Sequence, residues 1–403
     1  MCGCKKQKAR TNADRNTSAQ QNQRERREAK SSNKFGRPVV LKSKIAAACV
    51  NPLSASNSVF IAESAGSVRK VNVDDQDSKP VIYRGPAAPI TCVAAGGAQD
   101  RTLLAGSWDR NVWSWDIDTR QPGRKFVGHS DFVKAITCTK IGGKDVLISG
   151  GADKKIMVWD IATGSRLHVL QDSVTAMLAV QSLAVDLILS SGDEAVIVSA
   201  GSDPFVRRWK VRLDSWEQLV DAEPGAPNVE RRSIKVHETG VYKVLFDHSG
   251  DEVDLWTASA DGSSKCLSRG KGFSVEDTFE HGGHVRAVVV TDEWVATAGR
   301  DEDVKIWDRA SGKLYCCLEG HYDEVTDLVL LGGGTGQEKR LASVSIDGTV
   351  RTWPLDKAGI DAAVQEQGEA GANETGGDQP KEEPEKMLTA EEEAELAELL
   401  DDD

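Results

Sequence analysis

An all-β fold made of seven copies of one four-stranded unit is predicted by three observations. The first is a repeated phrase. Asp109 leads to Trp115 six residues later, Asp153 to Trp159, Asp203 to Trp209, Asp261 to Leu267, Asp301 to Trp307 and Asp347 to Trp353. A phrase recurring every 40 to 58 residues marks one supersecondary unit used many times. The second is that from Arg37 onward the chain runs as short β-branched segments separated by Gly, Asp and Asn, which reads as strands and turns. The third is a pair of polar ends. Residues 1–37 hold 11 Lys/Arg against 3 Asp/Glu, and residues 357–403 hold 3 against 16.

The units follow in order. Val59–Ala62, the turn Ala65-Gly66 and Val68–Val73 make a degenerate first copy, with Val71 in the Trp slot and Ala65 in the Asp slot. The third copy shows the grammar in full. Lys125–Val127 is an outer strand, Gly128-His129 a turn, and Val133–Cys138 an alternating strand. Val146–Ser149 is a buried strand, Asp153–Lys155 a tight turn, and Ile156–Trp159 the closing strand. The same grammar fits copies ending at Trp115, Trp209, Leu267, Trp307 and Trp353. Pro38–Lys42 is left over in front. Its pairing with the last three strands closes the ring and covers edges that would otherwise lie open.

On these repeats the sequence resembles the WD-repeat family of seven-bladed β-propellers over roughly residues 37–356. The resemblance implies a propeller closed by an N-terminal strand. Residues 1–36 are too polar to bury a core and are expected to be a disordered basic arm. Residues 357–386 read as a disordered acidic linker. Residues 387–403 read as a short acidic helix, with Thr389 and Glu392 as a capping box and Leu388, Leu396, Leu399 and Leu400 on one face.

The resemblance also implies a hydrogen-bonded tetrad of turn His, strand Ser or Thr, tight-turn Asp and Trp. Three blades carry it whole: His129, Ser149, Asp153 and Trp159; His281, Thr297, Asp301 and Trp307; His321, Ser343, Asp347 and Trp353. A fourth has His237, Thr257 and Asp261 with Leu267. Another keeps Ser199, Asp203 and Trp209 without a His. Asp109 and Trp115 stand with Pro86 and Ala105 in the remaining slots. Ser, His and Asp together invite a hydrolase reading, but a triad is needed once, on an exposed surface. A set repeated blade after blade braces turns, and no catalytic residues are assigned.

No metal or cofactor is expected. The turn histidines belong to separate blades, His168 and His248 are isolated, and Cys2-Gly3-Cys4 lacks a second ligand pair. Gly332–Gly336 lacks the Lys and Ser/Thr of a phosphate-binding P-loop and reads as a hairpin loop. Eight cysteines without paired spacing, no apolar leader in residues 1–36 and no apolar span point to a reduced, intracellular protein of cytoplasm or nucleus. Lipidation of Cys2 or Cys4 and salt-sensitive nucleic-acid contact by the basic arm are weaker readings.

Partners in this family often dock on the narrow face, at positions counted from the turn His and the tight-turn Asp. Carried over, these are Trp108, Phe132, Lys134, Tyr242, His284, Arg286, Arg300, Glu324 and Thr326. Aromatic and Arg side chains are typical binding anchors, and Arg suits carboxylate or phosphate. The expectation is a non-enzymatic interaction scaffold, monomeric within a complex, that binds acidic or phosphorylated peptides. The acidic tail is a candidate for the same face. The alternatives are a substrate receptor of a cullin-type ubiquitin ligase and a propeller enzyme with a channel site. The ligase pattern W-D-x-R is met imperfectly at Trp209–Arg212 and at Trp307-Asp308-Arg309.

Overall fold

Seven antiparallel sheets follow one another between Ile45 and Pro354 in the computed structural model. The structure describes residue 28 and residues 30–374, apart from 55–56, 76–79, 173, 175, 224–225, 249–252 and 333–337. Blades 1 to 7 begin at Ile45, Ile90, Val133, Val180, Val241, Val285 and Val325. Each blade pairs its strands in chain order, innermost to outermost. Val39–Val40 supplies the outer strand of blade 7, with Val39 opposite Val350 and Val40 opposite Thr349. This closes the seven-bladed propeller as expected.

Sequence explains why the sheets stack. The second and third strands, such as Lys144–Gly151 and Ile156–Asp160, are apolar on both faces and buried between neighbouring blades. The Trp slot lies opposite an aliphatic residue of the second strand in each blade: Leu103 and Trp115, Leu147 and Trp159, Ile197 and Trp209. Val59 and Val71 share that register in blade 1, as do Leu255 and Leu267 in blade 5. An outer-strand aromatic from one blade meets the next blade's Trp edge-on in three places: Tyr83 on Trp115, Phe126 on Trp159 and Phe279 on Trp307.

Every innermost strand carries a register shift directly after its first residue. A bulge leaves one residue unpaired and re-aims its side chain. The seven bulged residues are Ala46, Thr91, Lys134, Gln181, Tyr242, Arg286 and Thr326, one per blade.

Three features depart from the sequence reading. Residues 30–36 are not a free arm. Asn33 Nδ2 donates to the Gly320 carbonyl at 2.9 Å, and Arg351 Nη1 donates to Asn33 Oδ1 at 2.7 Å. Phe35 packs on the core around Trp353. Gly36 has φ +65°, and a Cβ there would lie 2.7 Å from the Trp353 ring, so the approach needs glycine. One aromatic and one glycine in a polar run were enough to dock it. Residues 1–27, including Cys2 and Cys4, lie outside the described residues.

Second, helix α1, Lys357–Glu374, occupies the first part of the expected disordered linker, and residues 375–386 lie outside the described residues. Asp356 Oδ2 accepts from the Gly359 N–H at 2.8 Å and caps its start. Ile360 is fully buried in the core of blades 6 and 7, with Ala363 beside it. Ala, Gln and Glu are strong helix formers, which the reading as low-complexity linker passed over. In the second unit the described residues, 365–374, are helical, and Gln365 donates to Glu369 one turn on. The expected helix at 387–403 lies outside the described residues, as does most of the glycine loop after Gly332.

Third, the outer strand of blade 4 is split. Trp216–Gln218 pairs with Trp209–Val211, and Ser233–Lys235 pairs with Phe205–Arg207. The intervening chain forms its own ladder, Asp221–Glu223 against Ala226–Arg231.

Candidate functional site

The bulged ring surrounds the mouth of the central channel, and all seven members line one cavity of about 500 Å³. Cavities of this size hold small ligands or single anchoring side chains. Thr91 and Thr326 turn their hydroxyls to backbone carbonyls, Thr326 to Ile45 at 3.1 Å and Thr91 to Gly106 at 3.1 Å. Arg286 lies over the Tyr242 ring at 4.3 Å and pairs with Glu324 at 3.1 Å. Lys134, from the far side of the ring, forms no ion pair among the described residues. Burial lowers its pKa, and the charge of Arg286 lowers it further. Deeper in, Lys243 Nζ meets Asp327 Oδ1 at 2.7 Å, and Asp327 Oδ2 accepts from the Ala48 N–H.

Trp108, which also lines the cavity, stacks on Phe132, centroids 4.9 Å apart and planes 14° from parallel. They are 48% and 37% exposed. Two large aromatics spent on each other in solvent are unusual unless a partner covers them.

Six of the expected narrow-face residues therefore form two groups: Trp108 with Phe132, and Arg286 with Tyr242, Glu324 and, across the mouth, Lys134. Thr326 joins the ring. His284 and Arg300 are exposed and line no part of the cavity; their link is Arg300 N–H to the His284 carbonyl. Sequence reasoning missed Ala46, Thr91 and Gln181, because their blades have no turn His to count from. Counting from the start of each innermost strand finds them. It also missed Lys243 and Asp327, one residue further along.

The polar tetrads are buried between blades. His129 sits between Asp153 (3.0 Å) and Ser149 (2.8 Å), and Trp159 Nε1 donates to Ser149 Oγ at 2.9 Å. His281 bridges Asp301 and Thr297, both at 2.8 Å, and Trp307 donates to Thr297. His321 bridges Asp347 and Ser343, and Trp353 donates to Ser343 at 3.0 Å. In blade 5, His237 bridges Asp261 and Thr257, with Leu267 buried in the Trp slot. Ser149, Thr297 and Ser343 have no exposed surface, so these hydroxyls meet no substrate. Cys92, in the channel wall, is pushed up to about 12 by burial and is held as a thiol. Among the described residues, no three His, Cys, Asp or Glu side chains gather as a metal site. No described helix is long and apolar enough to cross a membrane.

The ligase-type arginines are engaged elsewhere. Arg309 Nη1 reaches the buried Asp247 at 2.7 Å and the Thr291 carbonyl at 2.8 Å. Arg212 pairs with Glu194 at 2.7 Å.

Repeated four-stranded blades, strand closure and a polar tetrad define a WD-repeat propeller, and comparison with known proteins agrees. The family model for the WD domain, G-beta repeat, matches residues 78–116, 274–308 and 312–354. The tRNA methyltransferase TRM82 WD40 domain matches residues 125–269. The chain belongs to the WD-repeat family. An uncharacterized WD repeat-containing protein of Schizosaccharomyces pombe is 28% identical over 398 residues, 96% of this chain and 97% of that one. The nuclear distribution protein PAC1 of Arthroderma otae is 27% identical over 285 residues, 68% of this chain and 52% of PAC1. A WD repeat-containing protein 26 homolog of Arabidopsis thaliana is 26% identical over 263 residues, 64% and 40%. The chain thus spans about half or less of the latter two.

Proposed function

We propose that this propeller is a non-enzymatic interaction subunit of cytosol or nucleus that grips an acidic or phosphorylated segment of a partner protein on its narrow face. The observation that carries the reading is the exposed Trp108–Phe132 stack beside a channel mouth holding Lys134 and Arg286. Aromatic anchors next to cations fit an acidic chain with an apolar neighbour. WD propellers generally serve as interaction platforms, and the engaged Arg309 weighs against the ligase-receptor alternative. The test is affinity capture from cells with the parent chain and a Trp108→Ala/Phe132→Ala variant. A defined set of partners should fall by about tenfold, ~1.4 kcal/mol of binding. An unchanged set overturns the reading.

The match over residues 125–269 favours a second reading, in which the partner is a tRNA methyltransferase. Captured material that transfers methyl groups to tRNA supports it. Captured material free of that activity sinks it.

A further inference from the structure

The channel mouth differs from a merely polar rim in how its charge is placed. Lys134 and Arg286 project from blades 3 and 6, on opposite sides of the ring. Arg286 pairs with Glu324 at 3.1 Å, while Lys134 and Lys44, which also lines the cavity, form no ion pair among the described residues. Below them the Lys243–Asp327 bridge spans blades 5 and 7 and puts a charged floor under the mouth. The lining thus gathers four cations, Lys44, Lys134, Lys243 and Arg286, against one carboxylate, Asp327, with Glu324 paired to Arg286 from outside it. Asp131, outside the lining, is the acid whose charge acts on Lys134. An excess of cations over carboxylates lining a partly desolvated cup favours a dianion over a carboxylate. Gln181, also in the ring, donates through Nε2 to Ser202 at 3.0 Å.

We infer that this cup is a phosphoryl site, in which a dianionic phosphate is held between Lys134 and Arg286 above the Lys243–Asp327 bridge. The assignment rests on the narrow face being the docking face, and it selects the phosphorylated form of the partner segment. A phosphorylated side chain and free inorganic phosphate present the same group, so the experiment separates them.

Titrate the full chain calorimetrically with inorganic phosphate, O-phosphoserine and acetate at pH 7.5. Both phosphate probes should bind and acetate more weakly. Tighter binding of O-phosphoserine assigns the site to a phosphorylated residue, and equal binding assigns it to free phosphate. Lys134→Ala and Arg286→Gln should each weaken binding about tenfold, ~1.4 kcal/mol. Lys134→Arg, which keeps the charge, should retain it. Lys271→Ala, removing an exposed lysine paired with Glu276, should leave it unchanged. Parent-like binding in both Lys134→Ala and Arg286→Gln, or no binding of either phosphate probe, overturns the site. The docking reading is judged separately by Trp108→Ala/Phe132→Ala capture, so either can fail alone.

Discussion

Blade 3 and blade 4 stand side by side and solve one problem with different residues. Both must bury a tight-turn aspartate and an indole N–H. In blade 3, His129 spans Asp153 and Ser149, and the Trp159 indole shares the same hydroxyl. In blade 4 the slot equivalent to the His is Asp172, a carboxylate, and it is fully buried. Arg207, two residues before Trp209 on the third strand, turns inward and reaches both acids. Its Nε donates to Asp172 at 2.8 Å and its Nη1 to Asp203 at 3.0 Å. Trp209 still donates to Ser199 at 2.8 Å. Blade 2 uses a third solution: Trp113 Nε1 donates to Asp109, and Trp115 turns to the Arg84 carbonyl. The difference teaches that the turn carboxylate must be satisfied, while the donor is interchangeable. Buried polar groups are paired or they cost stability.

The comparison is broken most readily at Arg207. Arg207→Ala removes the guanidinium that the buried Asp172 and Asp203 share. Removing one partner of a buried ion pair costs about 3–5 kcal/mol. Equilibrium unfolding in urea should show that loss, and Arg207→Ala/Asp172→Ala should recover part of it. A single-variant loss under about 1 kcal/mol would mean the guanidinium is not what holds blade 4.

The blade 3 counterpart is smaller. Ser149→Ala removes the hydroxyl that donates to His129 Nε2 and accepts the Trp159 indole N–H. Leaving a buried donor unpaired costs about 1–3 kcal/mol. The same urea experiment on Ser199→Ala, where the hydroxyl serves Trp209, should show less loss, because no His depends on it. Equal losses would dissolve the distinction between the two blades.

How much of this was legible in sequence follows from the same residues. The six-residue Asp-to-Trp spacing gave the blades because it measures a hairpin whose length the fold sets. The closing strand was readable because Val39-Val40 is β-branched and otherwise unpartnered. Asp172 and Arg207 were not, since nothing local tells a buried arginine from a surface one on an alternating strand. Phe35 and Ile360 were missed because one apolar residue in a polar run docks only against a surface built elsewhere. At the channel mouth, counting from the turn His reached Lys134, Tyr242 and Arg286. It failed for Thr91 and Gln181, whose blades lack that His.

The smallest effect separates the blades by pH. Burial lowers the pKa of His237 and His321 in the folded chain from an ordinary value of 6.5. Once the pH drops below about 6.5 the unfolded chain binds protons that the folded chain refuses, so stability falls. A second loss comes from Asp261. Burial opposes its ionisation, but bonds from Ser263, the Glu238 N–H and His237 more than offset this and hold it at about 2 against 3.8. Its stabilisation is present above pH 3.8 and is lost as pH falls toward 2. Blade 4 has Asp172 and Arg207 in place of a turn His, so it adds nothing to the first limb. The urea midpoint should therefore be flat above pH 7, decline from about 6.5 downward, and decline again below 4. His321→Gln should flatten part of the first limb, whereas Arg207→Lys should leave its slope unchanged. A midpoint that rises between pH 7 and 5.5 would show that the histidines gain protons on folding, and that burial is the wrong account of His237 and His321.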